Sequence, residues 1–276
     1  MRTLVHLSDL HFGRVDPQIL PPLLLAVAAA KPDLVVISGD FTQRARVREF
    51  EHAAQFLAQL PQPQLLVPGN HDVPLYDVMR RWLAPLRRYR RYITDDLAPF
   101  YADAEIAVQG INTARALTLK NGRINQAQLA AITERFASYD PRVARVVVTH
   151  HPFDTPDLAP GARPAHSVVG RADLTIAGLL QSRVDVILSG HLHLSHVGHT
   201  AQRYPAHGRA ALLIHAGTAT STRQRGDLNA FNIVRIARPE ADVTLMVWDR
   251  ARMIFRNDSI ERFIEKEAGW EHLGAT

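Results

Sequence analysis

The chain has 276 residues, of which 46% are hydrophobic, 21% charged and 7% aromatic. That balance supports a sizeable core and excludes a disordered chain. The absence of cysteine excludes disulfides, thiolate metal sites and cysteine nucleophiles, and no apolar run approaches the roughly 18 residues of a membrane-spanning helix.

The opening segment 1–6 enters strand-like sequence without a leader pattern, so the expected location is cytoplasmic. The formal charge is +5, from 32 basic and 27 acidic residues, yet only Lys31, Lys120 and Lys266 are lysines. An arginine skew of that kind reads as codon bias, with attraction to an anionic partner as the other reading.

In chain order, short and nearly continuous apolar runs predict strands at 4–7, 34–37, 65–67, 106–111, 143–148, 184–188, 212–214, 231–236 and 243–247. Continuous rather than alternating runs suit strands covered on both faces. Helices are expected between them at 22–30, 46–60, 126–136 and 172–181. Pro22 suits a first helical position and Asn125 an N-cap. A last helix is expected from the capping-box pattern of Asp258 and Glu261, ending before Gly269. Strand–helix alternation through residue 190 predicts an α/β domain, and the strand-rich stretch after 210 predicts a second sheet or an extension of the first. No linker-like composition divides 1–276, which reads as a single domain with a cap-like insertion at 74–104.

The strand ends carry the chemistry. The first predicted strand runs into Asp9-Leu10-His11, the second into Gly39-Asp40 and the third into Gly69-Asn70-His71-Asp72. Two later strands run into His150-His151-Pro152 and Gly190-His191-Leu192-His193. Open α/β sheets bind ligands outside the carboxyl ends of their strands. A donor set of carboxylate, imidazole and amide, with no thiolate, suits divalent first-row metals. Glycines ahead of Asp40, Asn70 and His191 permit tight turns around an ion.

With these five motifs in this order, the chain resembles the calcineurin-like metallophosphoesterase superfamily. The resemblance spans residues 9–193 and implies a four-layered α/β/β/α sandwich of two mixed β-sheets flanked by helices. It also implies two divalent metal ions per chain, with manganese, iron and zinc all admissible. One ion is then held by Asp9, His11, Asp40 and His193, the other by Asp40, Asn70, His150 and His191, with Asp40 bridging. Strand phase alone leaves His150 and His151 open. Pro152 turns His151 away, and His150 is the position that usually ligates in the family. Two dications, two carboxylates and a bridging hydroxide leave a site near +1, which can hold a phosphate anion and still keep a nucleophile for in-line attack. His71 resembles the family's non-ligand histidine, which stabilises or protonates the leaving oxygen. Asp72 either orients that ring or caps the turn. Among the other histidines, His215 precedes Ala216-Gly217-Thr218 at a strand end, where it either supports the site or simply packs.

Gly39-Asp40-Phe41-Thr42-Gln43-Arg44-Ala45 and the closing Asp72 depart from the serine/threonine phosphatase pattern. The His150-His151-Pro152 form and the stretches 217–223 and 229–232 are more similar to the bacterial cyclic-nucleotide and glycerophosphodiester phosphodiesterase branch. Arg223, Arg225 and Asn229 are then candidate substrate contacts, with a surface loop as the plain alternative. The expected substrate is a cyclic nucleotide, a glycerophosphodiester or a lipid-linked diester. The other readings are a phosphomonoesterase, a DNA-repair-type nuclease or, least of all, a non-catalytic scaffold. Segment 79–92 packs six arginines and three aromatics into fourteen residues. A solvated cap or homodimer contact is expected first, peripheral membrane contact or a large anionic substrate second, and nucleic acid last. Helical spacing places Trp82, Leu86 and Tyr89 on one side, although Pro85 would interrupt the helix.

Overall fold

Leu4 and Val5 are adjacent in one strand yet belong to different hydrophobic cores, and that split organises the fold. The computed structural model describes residues 1–116, 121–155, 168–204, 209–222 and 228–275. In chain order the first half runs β1 (Arg2–Leu7), α1 (Leu20–Ala29), β2 (Leu34–Ile37), α2 (Val47–Leu57), β3 (Gln64–Leu66), α3 (Val78–Leu83), α4 (Arg87–Tyr92), β4 (Phe100–Ala102) and β5 (Ile106–Ile111). It continues with β6 (Gly122–Arg123), α5 (Gln126–Ala137), β7 (Ala144–Thr149), β8 (Val169–Gly170), α6 (Ala172–Gln181), β9 (Val186–Ser189), β10 (His196–His199), α7 (Thr200–Arg203) and β11 (Leu212–His215). Four long strands close the chain: β12 (Ala230–Ala237), β13 (Glu240–Asp249), β14 (Ile254–Lys266) and β15 (Gly269–Ala275).

One sheet has the order β15-β14-β13-β12-β1-β2-β3, and the other β10-β11-β9-β7-β5-β4. Strands β1, β2 and β3 are parallel, as are β5, β7, β9 and β11, while the remaining pairs within these two sheets are antiparallel. Leu4, Leu34 and Val36 from the first sheet meet Val146, Val148 and Leu188 from the second in the core between them. Val5, Val35 and Ile37 point the other way, onto Leu23 and Val27 of α1 and Phe50 of α2. Val147 and Ile187 likewise point outward onto Ile132 and Phe136 of α5 and Ile176 of α6. Every inner strand is therefore apolar on both faces, which is why its sequence reads as a run rather than an alternation. The four-layered α/β/β/α sandwich is the observed architecture.

Most predicted elements lie where expected. Asn125 caps α5 by accepting from Gln128 N at 2.8 Å, and the Gln128 side chain accepts from Asn125 N in return. Helix α1 begins at Leu20, so Pro21 and Pro22 both fall within its first turn.

The expected last helix does not form. Its residues belong to β14, paired along its length with β13 and then with β15. A capping box expresses only local hydrogen-bonding options. Here a long-range ladder satisfies the same backbone groups, and Phe255 and Phe263 are buried on the sheet.

Segment 74–104 is tied into the body more closely than a separate cap. Strand β4 extends the second sheet, and Leu86 and Tyr89 are core residues. The Tyr89 hydroxyl donates to Leu66 O at 3.1 Å. Helices α3 and α4 are separated at Ala84-Pro85, and the predicted shared side of Trp82, Leu86 and Tyr89 does not exist, because Trp82 is 61% exposed.

Candidate metal centre

The parallel strands of both sheets end at one edge of the sandwich, where loops after β1, β2, β3, β7 and β9 converge. Backbone pairing holds these loops together: Asp9 N donates to Gly39 O at 3.1 Å and His11 N to Asp40 O at 2.9 Å. Within the second sheet, Gly190 N donates to His150 O at 3.0 Å, joining the loops after β9 and β7. Asp9, His11, Asp40, His191 and His193 all have positive φ. Such conformations are costly for residues with a side chain, and they cluster where a site over-determines the backbone. Gly39 takes φ +104°, and a Cβ there would lie 2.6 Å from His150 Nδ1.

Two donor groups share one carboxylate. In the first, His11 Nε2 lies 3.0 Å from His193 Nε2, 3.5 Å from Asp9 Oδ1 and 3.7 Å from Asp40 Oδ2. In the second, His150 Nε2 lies 3.4 Å from Asp40 Oδ1, 3.1 Å from Asn70 Oδ1 and 3.2 Å from His191 Nδ1. The two oxygens of Asp40 thus face different histidine sets. Asp9 Oδ1 and Asp40 Oδ2 are buried without a hydrogen-bond partner among the described residues. Buried carboxylate oxygens of that kind need a cation, so the residues fit a metal. All the predicted ligand positions are brought together.

Support for these donors comes from the backbone. His150 Nδ1 lies 2.8 Å from Ser38 O; donation there fixes the tautomer and leaves Nε2 free to ligate. Asp9 Oδ2 accepts from Ser8 Oγ at 2.6 Å and from His191 N at 2.9 Å. His151 turns to Thr113, its Nδ1 lying 2.8 Å from Oγ1. Its Nε2 is buried without a hydrogen-bond partner among the described residues, and its ring centroid lies 5.0 Å from that of His150 and 4.7 Å from that of His191.

Electrostatics follow from this packing. Burial alone would raise the Asp40 carboxyl, but His150 and its neighbours hold it well below the usual carboxylate range. Burial works against a proton on His150, yet the Asp40 charge overrides it and lifts the ring to about 9. A cation binding at Nε2 competes with that proton. Burial and the His150 charge together push His191 down to about 3.

His71 stands at the rim, half-buried, with its ring 4.9 Å from that of His11. Asp72 does not orient it. His71 Nδ1 instead lies 2.8 Å from Gln43 O, while the buried Asp72 carboxylate accepts from Gly69 N, Phe41 N and Thr42 N at 2.9, 3.3 and 2.9 Å. The aspartate therefore clamps the loop after β2 to the loop after β3, which is the turn-capping alternative. Burial and the Asp40 charge raise it to about 7.

Arg223 and Arg225 lie outside the described residues. Asn229 is buried, and its amide donates to Thr218 O and Ser221 O at 3.3 and 2.9 Å. Thr218 Oγ1 in turn donates to Asp9 O at 2.7 Å, so Asn229 props the loop that backs Asp9. His215 is buried with Nε2 3.0 Å from Asp154 Oδ1. Sequence reading missed Ser8, Ser38, Gln43, Thr113 and Thr218. Ser8 adjoins a motif residue, but nothing in the sequence assigns the others a partner.

The calcineurin-like phosphoesterase profile matches residues 2–195, the stretch that carries every one of these donors. The chain belongs to that family. It is 35% identical to the glycerophosphodiester phosphodiesterase GpdQ of Enterobacter lignolyticus over 80 residues, 25% of this chain and 29% of that protein. It is 23% identical to the 3′,5′-cyclic adenosine monophosphate phosphodiesterase CpdA of Escherichia coli over 166 residues, 58% of this chain and 54% of that one. The chain thus spans about half or less of the length of these relatives. The fold is similar to that of the purple acid phosphatase PPD1 from yellow lupin, with a TM-score of 0.64 and 11% identity, over 89% of this chain and 51% of that structure. Two mixed sheets flanked by helices are therefore the family's fold, and the clustered histidines and aspartates of this chain could hold its metal.

Proposed function

We propose that the protein is a dinuclear metal-dependent phosphodiesterase. The observation that carries this reading is the division of Asp40, whose Oδ2 faces His11 and whose Oδ1 faces His150. Asp9, His11 and His193 complete one donor set with Asp40, and Asn70, His150 and His191 complete the other. Two divalent ions there would lower the pKa of a water shared between them and clamp the non-bridging phosphate oxygens during in-line attack. Manganese, iron and zinc all suit nitrogen and oxygen donors. Asn70 contributes no charge, so Asp9 and Asp40 neutralise only half of two dications and leave room for an anionic phosphate.

The chain's own groups then divide the work. Asn70, His71 and His191 are half-buried, whereas Asp9, His11 and Asp40 lie beneath them, so substrate approaches from the His71 side. His71, held through Nδ1 by Gln43 O, presents its other ring nitrogen towards the leaving oxygen and protonates or stabilises it. Asp72 acts by fixing the two loops that carry Asp40 and Asn70. The names of GpdQ and CpdA favour a diester with a small alcohol or nucleoside on one side, and a lipid-linked diester is compatible with the same site.

The test is hydrolysis of bis(p-nitrophenyl) phosphate against p-nitrophenyl phosphate by manganese-reconstituted protein. The diester is expected to be hydrolysed with the higher kcat/KM. A monoester preference would place the chain among phosphomonoesterases, and failure to bind two metals per chain would leave a scaffold.

A further inference from the structure

Helix α3 is inside out. One of its two cations, Arg81, is buried while its apolar side chains face water. Arg81 is 6% exposed and donates to Ala116 O at 2.6 Å and to Pro74 O at 3.0 Å, which fastens the helix to the body. Val78, Met79, Trp82 and Leu83 occupy the opposite face, at the i, i+1, i+4, i+5 spacing of a single helical side. With Leu75 and Tyr76 they form a run of six exposed large hydrophobic residues within nine positions, the densest such group among the described residues. Scattered exposed apolar residues need no explanation, but a contiguous ridge marks a contact surface.

The ridge is bordered by positive charge. Segment 75–92 contains six arginines against one acidic residue, Asp77. Arg80 pairs with Asp77 and Arg90 with Asp95. Arg87 and Arg91 are exposed and meet no carboxylate among the described residues. Both line a cavity of about 820 Å³ that opens beside the ridge, between α4 and the loop after β5, with Leu83, Leu86 and Ala114. The ridge also begins at the catalytic rim. Gln43 holds His71, and the next residue, Arg44, lies 5.1 Å from the Tyr76 ring centroid and donates to its hydroxyl at 2.7 Å.

We propose that the Leu75–Leu83 ridge, with Arg87 and Arg91, docks the protein on an anionic lipid bilayer. Aliphatic side chains enter the acyl boundary while guanidinium groups meet the phosphate headgroups, the usual division of labour at a membrane interface. Tyr76 and Trp82 are the only two rings among the six exposed ridge residues, the other four being the aliphatic Leu75, Val78, Met79 and Leu83, a composition that suits an acyl boundary better than the succession of stacked rings that binds single strands. Docking would set the His71 rim facing the bilayer. The proposal stands independently of the phosphodiesterase reading, because its readout is partitioning rather than turnover.

The protein carries its own probe. Trp82 is 61% exposed, while Trp248 and Trp270 are 4% and 1% exposed, so a fluorescence change on docking reports Trp82. The experiment mixes the full chain with phosphatidylcholine vesicles, with and without about a third phosphatidylglycerol, and follows co-sedimentation and tryptophan emission. Binding with a blue shift is expected on the anionic vesicles alone. Met79→Ser/Trp82→Ser/Leu83→Ser should lower partitioning on the order of tenfold or more, and Arg87→Gln/Arg91→Gln should weaken it and reduce its salt dependence. Both variants should keep the wild-type rate on bis(p-nitrophenyl) phosphate and the wild-type unfolding temperature, which controls for misfolding. Wild-type protein that ignores anionic vesicles overturns the proposal. So does a ridge variant that partitions normally, or one whose only change is the loss of a dimer in sedimentation velocity or of binding to single-stranded DNA.

Discussion

Asp40 Oδ1 lies 3.4 Å from His150 Nε2, so a carboxylate from one sheet meets an imidazole from the other. Because its second oxygen faces His11, Asp40 couples the two donor sets. Asp40→Asn keeps the shape but removes the charge and one lone-pair donor. Metal content is expected to fall below two ions per chain, with turnover reduced about 10³-fold or more. Elemental analysis beside kcat checks this, and a variant with full metal and near-normal rate would refute the bridging role.

His71 offers a ring nitrogen within 4.8 Å of donor atoms of His11 and Asp40, but in the proposed function it serves as the proton donor rather than a ligand, and its backbone N donates to Asp40 Oδ1 at 2.8 Å. His71→Ala keeps that backbone contact. Two metals per chain should therefore remain, while turnover falls about 10²- to 10⁴-fold, the usual range for a lost general acid. The loss should be smallest for p-nitrophenolate and grow with the pKa of the leaving alcohol. A uniform loss across leaving groups would argue against proton donation.

Asp72 should behave as a clamp. Removing a buried carboxylate that accepts from three backbone amides leaves those donors unpaired, which costs about 1–3 kcal/mol for each left unsatisfied. Asp72→Ala is expected to unfold at lower urea and to bind metal more weakly. Asp72→Asn retains one acceptor oxygen and should recover part of both. If the alanine variant melts like wild type and loses only kcat, Asp72 works on the reaction directly.

The donors were legible because each sits one to four residues past a parallel strand, where sequence position and spatial position coincide. The four layers were legible for a related reason, since strands buried on both faces leave uninterrupted apolar runs. What failed was long-range. The residues around Asp258 and Glu261 carry a helix-start pattern, and only the presence of β13 and β15 as neighbours makes them a strand. The carboxylate of Asp72 has three partners from two loops, and nothing in Gly69-Asn70-His71-Asp72 announces the Phe41 and Thr42 amides. In 79–92, periodicity placed Trp82 with Tyr89, but Pro85 resets the helix axis, so one ring faces solvent and the other the core.

Asp103 offers a pH test away from the metal centre. Burial alone would raise its carboxyl, but hydrogen bonds from Glu105 N and Ile106 N and the Arg2 charge hold it below the ordinary value. A carboxylate depressed in the folded state adds stability that is present above its unfolded pKa of about 3.9 and is lost as pH falls through the folded value. Wild-type stability should therefore drop on acidification partly through this group, and Asp103→Asn should remove that share. Urea denaturation at neutral and acidic pH checks it, with a smaller pH difference expected for the variant. An unchanged difference would mean that Asp103 is equally ionised in both states.

The close approach of the two sheets makes the sharpest steric test. A Cβ at Gly190 would lie 1.8 Å from Ser8 Oγ and 2.6 Å from Asp9 Oδ2. Neither atom can retreat cheaply, because Ser8 Oγ donates to Asp9 Oδ2 and Asp9 Oδ2 also accepts from His191 N. Gly190→Ala must therefore displace Asp9, His191 or both. The expected result is destabilisation of about 2 kcal/mol or more, together with loss of metal from the Asp9 side. Ser8→Ala in the same background removes the atom in closest conflict and should restore part of the stability. If Gly190→Ala is as stable and as metal-rich as wild type, the loops after β1 and β9 are not held as tightly as their hydrogen bonds imply.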